Sequence, residues 1–221
     1  MSATLNPQLS LLEARILGVL VEKELTVPDI YPLSLNALTA GCNQKNNRNP
    51  VLNASDEDVQ AAIDRLKPLS LLIESSGSRV MRYSQNVGRV LKVPSEAVAL
   101  LAALWLRGPQ TAAELRAASE RLHRFADVSS VEGFLTQLAE RSLESGGPLV
   151  RLLPRAPGAR ESRWVDLVSP AVETVNAEDR REQLIGVAPA PDWRGELEQL
   201  RAELHALRER VQQLENRGPH E

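Results

Sequence analysis

YPLSLNALTAGCNQKNNRNPV, residues 31–51, predicts a short helix that runs into a polar loop. Ser34 is placed to cap this helix, because a serine hydroxyl accepts a hydrogen bond from a free N–H group of the first turn. The apolar residues recur at helical spacing, at Leu35, Leu38 and Cys42. This stripe predicts that one face of the helix packs into a core.

The loop that follows, residues 43–54, is rich in side-chain amides and carries two positive charges, Lys45 and Arg48. No acidic residue occurs from Ile30 to Ser55. Amide and cationic side chains together favour contact with a partner that presents phosphates or base edges. Asparagine side chains also bond readily to the backbone of their own loop, so internal bonding is the alternative interpretation.

Helices are predicted on both sides of this stretch. Upstream, Ser10 and Glu13 form a capping box, and the helix it begins ends near Thr26. The apolar residues of that helix form one face, at Leu12, Ile16, Val19 and Leu20. Downstream, Ser55 and Asp58 cap a third helix. Its inward residues are Val59, Ala62, Ile63 and Leu66.

A β-hairpin is predicted after the third helix. Two short runs, residues 71–74 and 79–84, flank a Gly/Ser turn, which is the pattern of two paired strands. Three helices followed by a hairpin is the order of a winged-helix domain, a variant of the helix-turn-helix. We therefore assign residues 1–92 to a first winged-helix domain.

The same order then repeats. Helices are predicted to begin at Ser95, at the capping box Thr111–Glu114 and at the segment 129–132, and a second hairpin pairs residues 149–153 with 163–168. Residues 93–168 thus form a second winged-helix domain. The expected fold class is mainly α with small β-hairpins (α+β). One irregular helical domain is the alternative.

The C-terminal segment predicts a coiled-coil helix over residues 196–217, after a proline-containing linker over residues 169–195. The heptad and dimerisation positions are Leu197, Leu200, Leu204, Leu207, Val211 and Leu214. Charges at the flanking positions pair with opposite signs in a parallel two-stranded coil, which favours a homodimer. The alternative is an amphipathic helix that packs on its own chain.

The composition indicates a globular protein of 221 residues with 43% hydrophobic and 3% aromatic residues. Cys42 is the only cysteine, which fits a reducing compartment and excludes an intrachain disulfide. The longest apolar run, residues 97–106, is half the length that a membrane span requires, about 20 residues. We expect a cytoplasmic protein that does not enter a membrane.

The net charge of −3 argues against a nucleic-acid ligand, but the charge is unevenly distributed. Eleven acidic residues and seven arginines lie from Glu173 onward, so the preceding part carries a small positive charge. That part contains three acid-free stretches with clustered basic residues, at 30–55, 75–95 and 145–160. Such clusters favour phosphate binding, although solvated surface is the alternative for each.

The residues needed for catalysis are scarce. The sequence contains three histidines and one cysteine, and no Walker, Rossmann or nucleophile-elbow motif. Cys42 lies on an apolar stripe, and the acids Asp56, Glu57 and Asp58 occupy a first helical turn, where the helix dipole favours them. We expect no enzymatic activity, no metal and no cofactor. An enzyme of another type is the minor alternative.

Double-stranded DNA is the expected partner of the predicted winged helices. The three acids that begin the third helix would repel phosphates there, so the contacts are assigned to the preceding loop and to the hairpins. The candidate residues are Asn43, Gln44, Lys45, Asn47, Arg48, Arg79, Arg82, Arg151 and Arg155. The alternative function is that of an adaptor that binds another protein on the same scaffold.

The run VEKELTVPDIYPLSLNALTAGCNQKNNRNPV, residues 21–51, closely resembles the signature of the YceH-like family of uncharacterised bacterial proteins. The resemblance extends over about residues 9–168. It implies tandem winged helices, a bacterial cytoplasmic setting and a suspected role in DNA binding or transcription regulation. The positions that match the family pattern are Glu22, Lys23, Pro28, Tyr31, Pro32, Ser34, Asn36, Cys42, Asn43, Gln44, Lys45, Arg48 and Pro50.

Overall fold

The computed structural model describes residues 7–76 and 80–169, which all belong to one compact unit of α+β class. The first half contains α1 (Leu11–Thr26), a 3₁₀ turn (Pro28–Ile30), α2 (Leu35–Cys42), α3 (Asp56–Leu66), β1 (Leu72–Ser76), β2 (Met81–Gln85) and α4 (Val87–Leu91). The second half contains α5 (Ser95–Arg107), α6 (Ala112–Ser119), α7 (Val128–Ala139), a 3₁₀ turn (Leu143–Ser145), β3 (Val150–Leu152) and β4 (Trp164–Asp166).

Most of the predicted helix starts are confirmed, because they depend on short-range capping. Reciprocal capping boxes close the first turns of α1, α3 and α6 through Ser10–Glu13, Ser55–Asp58 and Thr111–Glu114. Ser34 accepts a hydrogen bond from the Ala37 N–H at the start of α2. These caps satisfy backbone donors that the helices leave free.

The start of α7 differs from the prediction of a cap at Ser129. Asp127 is the N-cap residue, and its Oδ1 accepts hydrogen bonds from the backbone N–H of Ser130 at 2.7 Å and from the Ser130 hydroxyl at 2.8 Å. A charged oxygen accepts a stronger bond than a hydroxyl does and also interacts favourably with the helix dipole. The helix therefore begins at Val128.

Both predicted hairpins are confirmed as antiparallel two-stranded sheets. Pairing runs from Leu72↔Gln85 to Ser76↔Met81 in the first and from Val150↔Asp166 to Leu152↔Trp164 in the second. Each hairpin also accepts an isolated bridge from the segment between the first two helices of its half. Leu33 bridges to Tyr83, and Gln110, 77 residues after Leu33, bridges to Trp164.

The two halves thus share one order of helix, bridge, helix, helix and hairpin. They also share a core, since α1 packs against α5. The prediction of a single apolar face on α1 was too narrow: α1 is buried without a break from Glu13 to Val21, and α5 from Ala97 to Leu106. A helix that is buried all round lies at the centre of a fold. The domain boundary near residue 92 stays a prediction.

One helix was not predicted. The five-residue α4 lies between β2 and α5, and its Val87 and Leu91 side chains are buried at i and i+4. Its C-cap, Lys92, has a left-handed backbone with φ of 52°. A helix of five residues has room for only one apolar pair at i and i+4. Such a short pattern does not predict a helix.

Several predictions concern residues outside the described ranges. These are the linker from residue 170 onward, the coiled-coil helix over 196–217 with its six heptad residues, and Arg79. Within the described ranges, no helix is long and apolar enough to cross a membrane.

Candidate functional site

The loop between α2 and α3 is fastened across its base by Asn43. Its Nδ2 donates to the Ala54 carbonyl at 2.8 Å, and its Oδ1 accepts from the Ala54 N–H, also at 2.8 Å. The Asn43 amide thus pairs with both the N–H and the carbonyl of Ala54, as the backbone of a neighbouring strand would, and this pairing closes the loop. Because the Asn43 amide is engaged within the loop, it is not available to contact a ligand. This is the internal bonding that the alternative interpretation of the loop expected.

Arg48 is buried beneath the same loop, with none of its side chain exposed. Its guanidinium donates to Glu22 at 2.6 and 3.2 Å, to the Gln44 Oε1 at 2.7 Å, and to the carbonyls of Gly41 at 3.2 Å and Asn47 at 3.0 Å. A contact with an external ligand would need these bonds to break. We therefore remove Arg48 from the contact residues and assign it to holding the loop on α1.

Arg15 adds a second buried guanidinium to this region. It donates to the carbonyls of Cys42 at 3.2 Å and Pro50 at 2.7 Å, which ties both ends of the loop to α1. No carboxylate pairs with it in the described part of the chain. Burial, and then the nearby charge of Arg48, lower the pKa of the Arg15 guanidinium. The interior below the loop therefore carries positive charge.

Glu22 is the carboxylate that balances Arg48. Burial alone would raise the pKa of Glu22, but the hydrogen bonds and charge of Arg48, with a smaller contribution from Lys23, outweigh burial and lower it. The Lys23 ammonium lies 3.4 Å from the same carboxylate. Glu22 is thus held as an anion between two cations.

The outer edge of the loop, residues 44–47 and 49, is exposed, as are Val51 and Asn53 nearer to α3. Asn47 takes a left-handed conformation with φ of 59°, which asparagine tolerates better than most residues. The Asn49 N–H donates to the Leu106 carbonyl at the end of α5 at 2.9 Å, so the loop is also fixed to the second half. The exposed side chains therefore project from a rigid base.

A cavity of about 460 Å³ separates this edge from the second half of the unit. Its lining residues come from α1 and the following turn, the loop, α5 and the end of α6. They are Glu22, Lys23, Thr26, Val27, Gln44, Lys45, Asn46, Asn47, Ala103, Leu106, Arg107, Ala118, Arg121 and Leu122. We refer to this cavity as the basic cleft.

Three other predicted contact residues, Arg82, Arg151 and Arg155, lie on the hairpins and do not line the basic cleft. Arg82 is exposed on β2 and donates to the Pro32 carbonyl at 2.8 Å. Arg151 on β3 and Arg155 in the following turn are exposed, and neither side chain has a partner among the described residues. The structure thus separates the candidates into a loop group and a hairpin group.

Cys42 and the acidic first turn of α3 were predicted to have structural roles, and both lie where that prediction placed them. Cys42 is fully buried, and burial raises the pKa of its thiol to about 12. Asp58 closes the α3 capping box, and Asp56 and Glu57 are exposed in the same turn. Within the described ranges, no group of three or more His, Cys, Asp or Glu side chains is arranged to hold a metal ion.

Sequence reasoning did not include Lys23, Arg107 and Arg121 among the site residues. Arg107 lies in the last turn of α5, where a basic residue is expected because it complements the helix dipole. Arg121 follows α6 and resembles any solvated arginine. Only the packing of α1 on α5 brings these residues to the same cavity as Lys45.

Residues 9–159 match the model of a protein family described as "Protein of unknown function, DUF480". The chain belongs to the DUF480 family. The resemblance to a family of uncharacterised bacterial proteins is thereby confirmed.

Among members named UPF0502 protein, one from Leptothrix cholodnii is 59% identical over 207 residues, which are 91% of each chain. One from Cupriavidus necator is 57% identical over 208 residues, 94% of this chain and 83% of the relative. One from Burkholderia orbicola is 65% identical over 161 residues, 73% and 66% of the two chains. DUF480 membership assigns no activity to the chain.

Proposed function

We propose that this DUF480 protein binds double-stranded DNA with its second half, as a winged-helix regulator of transcription. The observation that carries the proposal is the pair of exposed, unpartnered arginines, Arg151 and Arg155. They lie in the acid-free stretch 145–160, which contains the first strand of the hairpin that follows three helices. A wing of this kind contacts phosphates while the preceding helix enters the major groove.

The repeated order supports a winged-helix assignment for both halves. Each half has three helices before its hairpin and a bridge from the first interhelical segment to the hairpin, which gives a three-stranded arrangement. In such a unit the second and third helices form the helix-turn-helix. These are α2 and α3 in the first half and α6 and α7 in the second.

The charges on α3 and α7, the third helix of each half, favour the second half as the one that contacts the DNA bases. The first turn of α3 carries three exposed carboxylates, which would face phosphates. The corresponding end of α7 carries one carboxylate, that of the exposed N-cap Asp127, and the first turn after it contains no acidic residue. Ser129, Thr136 and Gln137 are exposed along that helix. Hydroxyl and amide groups of this kind form hydrogen bonds with base edges. Glu132 is the one acidic residue within α7.

A homodimer completes the proposal. The predicted coil over residues 196–217, outside the described ranges, would join two copies and so favour operators with two half-sites. Exposed Gln44, Lys45, Asn47 and Arg82 of the first half remain candidates for additional contacts.

The test is binding of the full-length protein to a fluorescent pool of genomic duplexes at several salt concentrations. We expect binding that weakens steeply with salt, because phosphate contacts release counterions. The double variant Arg151→Glu/Arg155→Glu should bind at least about tenfold more weakly and show a shallower salt dependence. The control is Arg89→Glu/Lys92→Glu, which makes the same charge change at exposed residues of α4 and its cap.

Two results would contradict the proposal. One is the absence of salt-sensitive binding to any duplex pool. The other is an equal loss in the hairpin variant and the α4 variant, since this would show a response to net charge rather than to a surface.

An adaptor function is the second candidate, favoured by apolar residues beside the loop. Ile30 and Val51 are each 54% exposed at the two ends of the 31–51 stretch. Exposed apolar side chains beside a polar rim are typical of protein interfaces. A partner captured by the wild type and lost with Ile30→Asp/Val51→Asp, while duplex binding is absent, would select this function instead.

A further inference from the structure

The basic cleft has a charge that nothing in the described part of the chain neutralises. Four cations line it, Lys23, Lys45, Arg107 and Arg121, against one acid, Glu22. Within residues 7–76 and 80–169, no ion pair or hydrogen bond engages the side chains of Lys45, Arg107 or Arg121. Cations that converge on a cavity without partners repel one another, so an anion bound there would be stabilised.

The one acid of the cleft does not offset this charge. Glu22 is already paired with the buried Arg48 at 2.6 Å and with Lys23 at 3.4 Å. The unpaired guanidinium of Arg15 lies in the interior below the same loop. Buried charges are screened less than exposed ones, so this guanidinium adds to the positive charge beneath the loop.

Gln44 is oriented as a donor. Arginine has no acceptor, so the Gln44 atom that lies 2.7 Å from the Arg48 Nη2 must be the side-chain oxygen. This bond leaves the Gln44 Nε2 with both N–H groups at the cleft edge. Asn46 and Asn47 add amides to the same rim. Neutral donors beside cations are suited to the oxygens of a phosphate group.

The opposite wall is apolar. Ala103 and Leu106 of α5, Ala118 of α6 and Leu122 just after α6 line the cavity, and Val27 adds to it at the end of α1. A free phosphate ion would leave this wall without a partner. An organic group attached to the phosphate would bury part of it and gain hydrophobic free energy.

We propose that the basic cleft binds a small phosphate ester, with the phosphate at Lys45, Arg107 and Arg121 and the organic group on the α5–α6 wall. The cavity volume of about 460 Å³ lies within the range of about 300–1,000 Å³ of small-molecule sites. A nucleoside monophosphate has both the charge and the size that this geometry requires. The proposal does not depend on DNA binding.

Calorimetric titration of the full-length protein tests the ligand class. The probes are the four nucleoside 5′-monophosphates, each separately, with inorganic phosphate and adenosine as the two half-ligands. At least one monophosphate should bind more tightly than inorganic phosphate, and adenosine should not bind measurably. Equal affinity for inorganic phosphate and all four monophosphates would overturn the role of the apolar wall, and no heat with any probe would overturn the site.

A charge-reversal variant locates the site. Lys45→Glu/Arg121→Glu should weaken monophosphate binding by at least about tenfold, because it replaces two charge-assisted contacts with repulsion. The matched control, Arg89→Glu/Arg124→Glu, makes the same change in net charge at two exposed arginines that do not line the basic cleft. It should stay within about twofold of wild type. Thermal unfolding of each variant in the absence of probe verifies that the fold is kept. Unchanged binding by the double variant would overturn the assignment.

A labelled duplex titrated into the same variants separates this inference from the proposed function. If Lys45→Glu/Arg121→Glu loses monophosphate binding and Arg151→Glu/Arg155→Glu loses duplex binding, both stand. If the cleft variant loses duplex binding and no monophosphate binds the wild type, the cleft belongs to a nucleic-acid surface, and the small-ligand inference fails while DNA binding stands.

Discussion

Gly18 of α1 faces Leu106 of α5 so closely that a Cβ on Gly18 would lie 2.9 Å from the Leu106 Cγ. The same Cβ would lie 3.4 Å from the Ala102 carbonyl oxygen. Both neighbours are fully or almost fully buried, so neither has open space to move into. This contact is where the two central helices of the fold approach each other.

The substitution Gly18→Ala should therefore destabilise the protein despite the higher helix propensity of alanine. Overpacking of a filled core costs about 1–3 kcal/mol, which exceeds the gain of about 1 kcal/mol from replacing a helical glycine. Urea unfolding measures the difference. The control is Gly133→Ala on the exposed side of α7, where no atom other than the adjoining residues and backbone of α7 lies within 4 Å of the added Cβ. That variant should be slightly more stable than wild type, and a stabilising Gly18→Ala would contradict the close contact.

Glu22 should make stability depend on pH in the acid range. Its pKa is lowered in the folded protein, so the Glu22–Arg48 pair stabilises the fold fully above the unfolded-state pKa. This contribution is lost as the pH falls through the lowered folded-state pKa. Glu22→Gln should cost about 3 kcal/mol at neutral pH, because it leaves Arg48 buried without its counterion.

Urea unfolding of both proteins between about pH 3 and pH 7 checks this dependence. The free-energy gap between wild type and Glu22→Gln should narrow as the pH falls. Glu13, Asp58 and Asp127, whose pKa values are also lowered, contribute equally to both proteins and cancel in the comparison. A gap that stays constant over this range would be evidence against an ionised Glu22 in the folded state.

Asn43 should contribute more to stability than its neighbour Asn46. Asn43→Ala removes both hydrogen bonds to Ala54 and leaves a backbone N–H and a carbonyl unpaired, which costs about 1–3 kcal/mol. Asn46 is exposed, and Asn46→Ala should change stability by less than about 0.5 kcal/mol. Thermal unfolding of the two variants makes the comparison, and equal melting temperatures would show that the loop is not fastened at Asn43.

Cys42 should be almost inert in the folded protein. Burial raises the pKa of its thiol to about 12, so near neutral pH the reactive thiolate is scarce, and the sulfur is also inaccessible to reagent. A chromogenic disulfide reagent should therefore label the native protein slowly and the urea-unfolded protein at once. Because the sequence contains no second cysteine, the signal reports Cys42 alone. Rapid stoichiometric labelling of the native protein would place Cys42 near the surface.

Local signals predicted the elements of this fold well. Capping boxes and hairpin patterns act over a few residues, and the structure confirms the starts of α1, α2, α3 and α6 and both hairpins. The start of α7 was misplaced by a few residues because serines follow the stronger cap Asp127. The sequence predicted an apolar helix from Ser95, but neither the burial of α5 on all sides nor its packing against α1 follows from periodicity.

The candidate site was predictable only in part. The loop that bears Gln44, Lys45 and Asn47 is recognisable from its composition, and these residues are exposed. Composition does not tell an exposed arginine from a buried one, so Arg48 was assigned to contact with a ligand although it lies under the loop. The basic cleft depends on residues more than 60 positions apart, such as Lys45 and Arg107, which only the packing of the two halves brings together.

The shared core of α1 and α5 has a consequence for synthesis of the chain. When the first 92 residues have left the ribosome, α1 can pack on α2 and α3, but the face that belongs to α5 has no cover. That face stays open until residues 95–107 emerge. For this interval the nascent chain presents an apolar surface of the kind that general chaperones bind. Synthesis of α5 in the second half then buries this surface of the first half.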